Sequence, residues 1–266
     1  MSTVTPDSFD LAAYLERIGL DNAPLPDADG LLALQRTHRL SIPFENLDAR
    51  LGRAIDLDPA AVFAKLVTRR RGGYCFEHNS LFLNALAALG FEARPLLGRV
   101  WLFADGVPAR THCFSLVSID GDQWIADAGF GGGYTEPMLL DAGREADVGG
   151  ATHRFVHDDA HGWMLERAGA GGQFKPQYSF DLQQVWPADL AMANHYTGSW
   201  PESRFVINAI AGLPRADGQL VSLMNRTFTD ETGKREIANA EELRSCLADV
   251  FGIALSGEEV AALGLF

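Results

Sequence analysis

Cysteine is scarce in this chain: Cys75, Cys113 and Cys246 are the three among 266 residues. They are too few and too scattered for a disulfide framework or a zinc site, so the simplest reading is reduced thiols in the cytoplasm and no bound metal. Basic residues are also in deficit, 22 Lys+Arg against 35 Asp+Glu, giving a formal net charge of −13. A field of that sign argues against non-specific binding to nucleic acid or to an anionic membrane, although a local basic pocket is still allowed. Long apolar runs are missing too. The nearest, Leu81 to Leu89, is broken by Asn84 and falls far short of the roughly 20 residues a membrane helix needs. The N-terminal segment has no basic region followed by an apolar core and small residues, so it does not read as a signal peptide. No repeat, low-complexity tract or long linker is visible.

What is present is an ordinary globular balance, 47% hydrophobic and 21% charged, enough for one large domain or two to three small ones. The first part is helical in pattern. Leu11, Tyr14, Leu15 and Ile18 share one face, with Asp7 and Ser8 as candidate caps and Gly19 as a stop. A second helix is expected from Asp27 toward Leu40, before Pro43. A third is marked by Asp58 at the cap and Pro59 at the first position, with Val62, Phe63, Leu66 and Val67 as its stripe. It ends in Arg69-Arg70-Arg71, which suit the negative end of the helix dipole, and in Gly72-Gly73, one of which suits a left-handed cap. A fourth helix is expected from about Cys75 to Leu89, stopped by Gly90.

From Pro95 the pattern changes to short β-type runs: Leu96 to Phe103, Cys113 to Ile119, Gln123 to Ala126, near Phe155, and Trp163 to Glu166. Such a series suggests an antiparallel barrel or sandwich. A helical stretch follows Pro187, then alternating segments over Phe205 to Ala211 and Leu220 to Phe228. Two small helices near Glu241 to Phe251 and Gly257 to Leu263 close the chain.

Cys75 sits at a helix start directly after Gly72-Gly73-Tyr74. The positive end of the helix dipole there favours a thiolate, and two bare glycines would let a substrate or oxyanion approach. A free cysteine is also a common core residue, and position alone leaves the two readings level. The partners decide. Asp120-Gly121 between β-type runs signals a two-residue hairpin. With Ile119 facing Asp122, the register carries on to His112 opposite Gly129, and Asp127 becomes the diagonal neighbour of His112 on the same face. Diagonal neighbours lie roughly 7–8 Å apart at the backbone, within reach of an imidazole and a carboxylate. Parity puts Cys113 on the other face as a packing residue. A lone His112 could be a satisfied core histidine and a lone Asp127 a loop cap; together with Cys75 they favour a catalytic triad. The run Gly129-Phe130-Gly131-Gly132-Gly133 offers backbone N–H groups for an oxyanion or phosphate, though a plain turn fits equally well. Arg69 to Arg71 offer local positive charge beside the nucleophile, but also fit a simple helix C-terminal cap.

Several stretches together resemble the arylamine N-acetyltransferase family. They are Ile42-Pro43-Phe44-Glu45-Asn46-Leu47, Arg71-Gly72-Gly73-Tyr74-Cys75-Phe76-Glu77-His78-Asn79, Thr111-His112, Asp127-Ala128-Gly129-Phe130-Gly131, and Asn194 through Phe205. The resemblance spans nearly the whole chain. It implies an α+β fold with a cysteine-protease-like catalytic core in three parts: a helical bundle carrying the nucleophile (1–92), an antiparallel β-barrel carrying His and Asp (93–190), and a linker helix with an α/β lid (191–266). It implies a Cys75–His112–Asp127 triad that takes acetyl from acetyl-CoA and passes it to an arylamine, an arylhydrazine or the oxygen of an arylhydroxylamine. It also places Phe44, Phe130 and Phe205 around the acceptor, and Thr111 and Gly131 where coenzyme A approaches. Read from the residues alone, all three Phe suit a core better than a pocket, so their place around the acceptor rests on the resemblance. The chain lacks the long insertion of vertebrate members and so looks bacterial in type, a monomer or homodimer without a metal. Competing readings are a papain-like or transglutaminase-like hydrolase, an amide synthase releasing a polyketide chain, and a catalytically dead binding module.

Overall fold

The computed structural model describes residues 9–102, 104–131, 136–148, 150–169 and 171–266, so Asp7, Ser8, Phe103, Gly132 and Gly133 lie outside the described residues. Helix α1 (Leu11–Ile18) is capped by Asp10, whose carboxylate accepts the Ala13 N–H, and ends on left-handed Gly19. Helix α2 (Ala28–Ser41) starts on the expected cap, Asp27. Pro43 then leads into strand β1 (Phe44–Glu45) and the short helix α3 (Leu47–Arg50). Helix α4 (Pro59–Phe63) has Asp58 at its cap and Pro59 at its first position, and it runs on as a π-helical turn, Ala64–Thr68. The left-handed residue that follows is Arg70 (φ 53°), which corrects the expectation of a glycine cap.

Gly72 and Gly73 serve contact instead. A Cβ on Gly72 would lie 2.1 Å from the Pro43 carbonyl oxygen, and one on Gly73 would lie 2.8 Å from the Glu77 side chain. The chain before Cys75 is therefore wedged between β1 and the next helix, α5 (Cys75–Ala88). Glu77 accepts the Tyr74 N–H (3.0 Å), which holds the first turn of α5.

Eight strands follow: β2 (Glu92–Val100), β3 (Arg110–Ile119), β4 (Asp122–Ala126), β5 (Met138–Leu139), β6 (Glu145–Val148), β7 (Ala151–Asp158), β8 (Gly162–Ala168) and β9 (Phe174–Phe180). They form one sheet in the order β5-β4-β3-β2-β9-β8-β7-β6, curled into a nearly closed antiparallel barrel. Strand β9 carries no clear signal in the sequence, yet it lies between β2 and β8 and joins the two halves of the sheet. The barrel interior is filled by Leu96, Phe114, Phe155, Leu165, Tyr178 and Phe180.

Helix α6 (Pro187–Ser199) leads to a helical turn, α7 (Arg204–Ile207). Phe205 was expected in a β-type run. Ser203 accepts the Phe205 N–H and caps this turn instead, so extended structure begins only at β10 (Ile210–Pro214). Strands β11 (Leu220–Met224), β12 (Thr227–Asp230) and β13 (Gly233–Glu236) complete a second sheet in the order β1-β10-β11-β12-β13. Helices α8 (Ala240–Phe251) and α9 (Gly257–Ala262) pack on it, and Leu47 from α3 enters the same core. β1 thus joins the second sheet to the segment before Cys75: Phe44 pairs with Gly212 on one side and bridges Gly73 on the other.

Candidate active site

Cys75 is the first residue of α5 and is 3% exposed. His112 and Asp127 come from β3 and the end of β4, joined through the expected hairpin. Ile119 pairs with Asp122 and the ladder runs to Ser115 opposite Ala126. Asp120 (φ 52°) and Gly121 (φ 91°) are both left-handed, as a two-residue turn of this twist requires. The ladder ends before Gly129, yet His112 and Asp127 still meet on one face of the hairpin. His112 Nε2 lies 2.6 Å from Asp127 Oδ2, and both side chains are buried.

A carboxylate accepts, so His112 carries a proton on Nε2 and turns its other nitrogen toward the Cys75 thiol, its second hydrogen-bonding partner. Burial pulls the imidazole down, but the Asp127 charge and hydrogen bond and the Cys75 contact outweigh it and lift His112 to about 10. Asp127 moves the other way. Burial raises it, but the charge and hydrogen bond of His112 hold it below the usual carboxylate range.

Three residues with no role legible in the sequence hold Asp127 in place. Asn79, one turn along α5 from Cys75, donates to Asp127 Oδ1 (3.1 Å) and to the Cys113 carbonyl (2.7 Å), and accepts the Ala128 N–H (3.0 Å). Gln35 Oε1 accepts the Asp127 N–H (2.9 Å), and the Tyr178 hydroxyl hydrogen-bonds to the carboxylate. Helical spacing from Cys75 could have found Asn79. No local signal marks Gln35 or Tyr178, which reach the site only through the tertiary fold.

Several expectations change. The Gly129 N–H donates to Asp127 Oδ1 (3.0 Å), so it is not a free oxyanion donor. Gly129 is required because a Cβ there would lie 2.6 Å from Asn79 Nδ2 and 2.9 Å from Cys75 Cα. Arg71 does not supply positive charge to the thiol. It pairs with Glu45 (2.7 Å) and with Asp48 (3.6 Å), part of a buried network in which Lys65 bridges Asp48 and Glu77 at 2.7 Å each. Cys113 faces away from His112 as expected, and its thiol donates to the Cys75 carbonyl (3.5 Å).

The Thr111 carbonyl lies 3.7 Å from Cys75 Sγ. Phe44 meets Phe205 (centroids 5.9 Å), and Phe130 packs on His112 (5.2 Å). A Cβ on Gly131 would lie 2.9 Å from the Phe44 ring, so this glycine makes room for that ring beside Phe130. A cavity of about 350 Å³ lies behind Cys75, lined among others by Phe76, Asn79, Leu83, Cys113 and Trp186. It opens on Cys113 and not on Cys75, so it is separate from the face on which Cys75 meets His112.

A buried thiol in contact with an imidazole, itself backed by a carboxylate, is the equipment of a protein that carries acyl groups as thioesters. Residues 27–260 match the N-acetyltransferase family. The arylamine N-acetyltransferase of Mycolicibacterium smegmatis is 37% identical over 96% of this chain and 97% of its own length. The arylamine N-acetyltransferase / N-hydroxyarylamine O-acetyltransferase of Salmonella typhimurium is 38% identical over 82% of this chain and 78% of its own. The structure of Mycobacterium marinum arylamine N-acetyltransferase in complex with CoA superposes with a TM-score of 0.87, at 32% identity, over 96% of this chain and 98% of that one. The chain belongs to the arylamine N-acetyltransferase family.

Proposed function

We propose that this protein transfers acetyl from acetyl-CoA through Cys75 to the nitrogen of an arylamine or arylhydrazine, or to the oxygen of an arylhydroxylamine. The observation that carries the proposal is the contact chain from Cys75 through His112 to Asp127, closed at 2.6 Å. In the first half-reaction His112, lifted to about 10, holds the thiol proton while Sγ attacks the thioester carbonyl. The carbon–sulfur bond to CoA breaks, and CoA leaves as a thiol with the proton returned by His112. In the second, the acceptor nitrogen or oxygen attacks the acetyl carbon, its proton passes to His112, and the bond to Cys75 Sγ breaks. Asp127 orients the imidazole and offsets its positive charge.

Phe44, Phe130 and Phe205 are assigned to the acceptor pocket; the Phe44–Phe205 contact and the packing of Phe130 on His112 support this. Thr111 and Gly131 are assigned to the approach of CoA, in keeping with the Thr111 carbonyl beside Cys75 Sγ. The three cysteines are unpaired, which supports a reducing, cytoplasmic setting.

Mixing the protein with acetyl-CoA alone and weighing it intact tests the reading. One acetyl group is expected on the wild type, none on Cys75→Ala, and its loss on adding an arylamine. An acetyl group that persists in Cys75→Ala, or that an arylamine does not remove, overturns the proposal.

A further inference from the structure

Three buried polar side chains take no part in this chemistry. Tyr14 on α1, His38 on α2 and His78 on α5 are 0%, 0% and 1% exposed. Tyr14 Oη lies 2.8 Å from His38 Nδ1, His38 Nε2 lies 2.9 Å from His78 Nδ1, and His78 Nε2 lies 3.1 Å from the Pro43 carbonyl oxygen. That last partner fixes every proton in the chain. A carbonyl only accepts, so His78 carries its proton on Nε2 and accepts through Nδ1. His38 must then donate from Nε2 and accept through Nδ1, and the Tyr14 hydroxyl donates into it. Desolvation, above all, keeps both rings neutral, with His78 pulled down to about 3 and His38 well below its ordinary value. The result is a one-directional relay crossing three helices.

It ends where α5 meets β1. The Pro43 oxygen also accepts the Gly73 N–H (3.4 Å), so both its lone pairs are engaged. The next ring, Phe44, stacks on His78 with centroids 6.3 Å apart and planes 11° from parallel. One turn beyond Cys75, a single imidazole thus holds both the backbone ahead of Phe44 and the Phe44 ring.

We propose that Tyr14, His38 and His78 are positioning residues for the acyl acceptor: their relay fixes the Phe44 ring relative to Cys75 Sγ and so sets affinity for the aromatic acceptor, not formation of the acetyl-enzyme. This rests on the reading of Phe44 as a wall of the acceptor pocket.

The test separates the two half-reactions in the full-length protein. His78→Gln keeps a donor for Pro43 but loses the stacked ring; Tyr14→Phe removes only the far donor. Acetylation of Cys75 by acetyl-CoA in a single turnover is expected to stay within about twofold of wild type in both. The KM for aniline-type acceptors is expected to rise about tenfold in His78→Gln and about threefold in Tyr14→Phe, the scale on which small misplacements act. Should His78→Gln fail to fold, Tyr14→Phe carries the same comparison. Long-range proton–nitrogen NMR of the wild type is expected to show both rings as neutral Nε2–H tautomers.

An Nδ1–H tautomer at either ring overturns the relay. So does an acetylation rate that falls in step with the acceptor effect. Phe44→Leu separates the two levels of failure. An unchanged acceptor KM there means the pocket reading is wrong. A raised KM there with no effect in Tyr14→Phe and His78→Gln means the relay proposal alone is wrong.

Discussion

Asp127→Asn isolates what the carboxylate does, because its surroundings dictate how the new amide sits. Asp127 Oδ1 accepts from Asn79 Nδ2 (3.1 Å) and from the Gly129 N–H (3.0 Å), so the amide oxygen must take that side. Its NH2 then takes the place of Oδ2, which stands 2.6 Å from His112 Nε2. An NH2 group only donates. It forces the imidazole to accept at Nε2 and to keep its proton on the nitrogen facing Cys75, where it cannot take the thiol proton. In the wild type, burial lowers His112, yet the Asp127 charge and hydrogen bond lift it from 6.5 to about 10. That difference is roughly 5 kcal/mol in favour of the imidazolium, at about 1.4 kcal/mol for each pH unit, and most of it depends on the carboxylate charge. The wrong tautomer in an otherwise intact site is expected to slow acetylation by about a thousandfold to ten-thousandfold. Rapid-quench intact mass gives the single-turnover rate, and iodoacetamide alkylation at neutral pH reports the thiol without any acyl donor. Both rates within about tenfold of wild type, in a variant with unchanged melting behaviour, would refute the reasoning.

The same pair shapes stability against pH. His112 sits above its ordinary value, so its contribution is full below about 6.5 and is lost as pH rises toward 10; Asp127 sits below its ordinary value, so its contribution holds above about 3.8 and is lost as pH falls. Melting temperatures followed from neutral pH upward are expected to descend toward about pH 10 in the wild type and to lose that descent in Asp127→Asn. Gly72→Ala drives a methyl group to 2.1 Å from a backbone oxygen that cannot yield, and a loss of about 2 kcal/mol or more is expected in urea unfolding. Lys65→Met strips the shared cation from Asp48 and Glu77, for an expected loss of about 3–5 kcal/mol that a second change, Glu77→Gln, should partly restore.

Where local chemistry decides structure, the sequence was easy to read. Asp27, Asp58 with Pro59, Gly19 and Gly90 mark helix ends through capping groups and backbone freedom that act within one turn. Strand β9 shows the opposite case. It contains Lys175, Pro176 and Gln177, and a proline normally argues against a central strand because it cannot donate to the ladder. The register shift between Leu165 and Glu166 falls where Glu166 pairs with Pro176, so the missing donor is absorbed by a bulge. Only the neighbouring strands could reveal that. Phe205 is a related case: an alternating apolar pattern suggested a strand, and one serine hydroxyl at the cap decided for a helical turn.

The site divides along the same line. His112 and Asp127 were legible because hairpin parity is a local property, and Cys75 because a glycine pair precedes a helix. Parity does more than select a face. β3 presents His112 to the Cys75 thiol on one side, while Cys113, one residue later, donates to the Cys75 carbonyl from the other. The first turn of α5 is therefore gripped at both its side chain and its backbone by consecutive residues of one strand. Asn79 completes the grip, since one amide joins the Cys113 carbonyl, Asp127 Oδ1 and the Ala128 N–H. Each of those bonds ties α5 to β3 or to the end of β4, so a displacement of the helix would strain the bonds that orient Asp127. The spacing of Cys75 and His112 is thereby a property of how one helix docks on one hairpin, and the glycine at position 129 is what lets the two elements come that close.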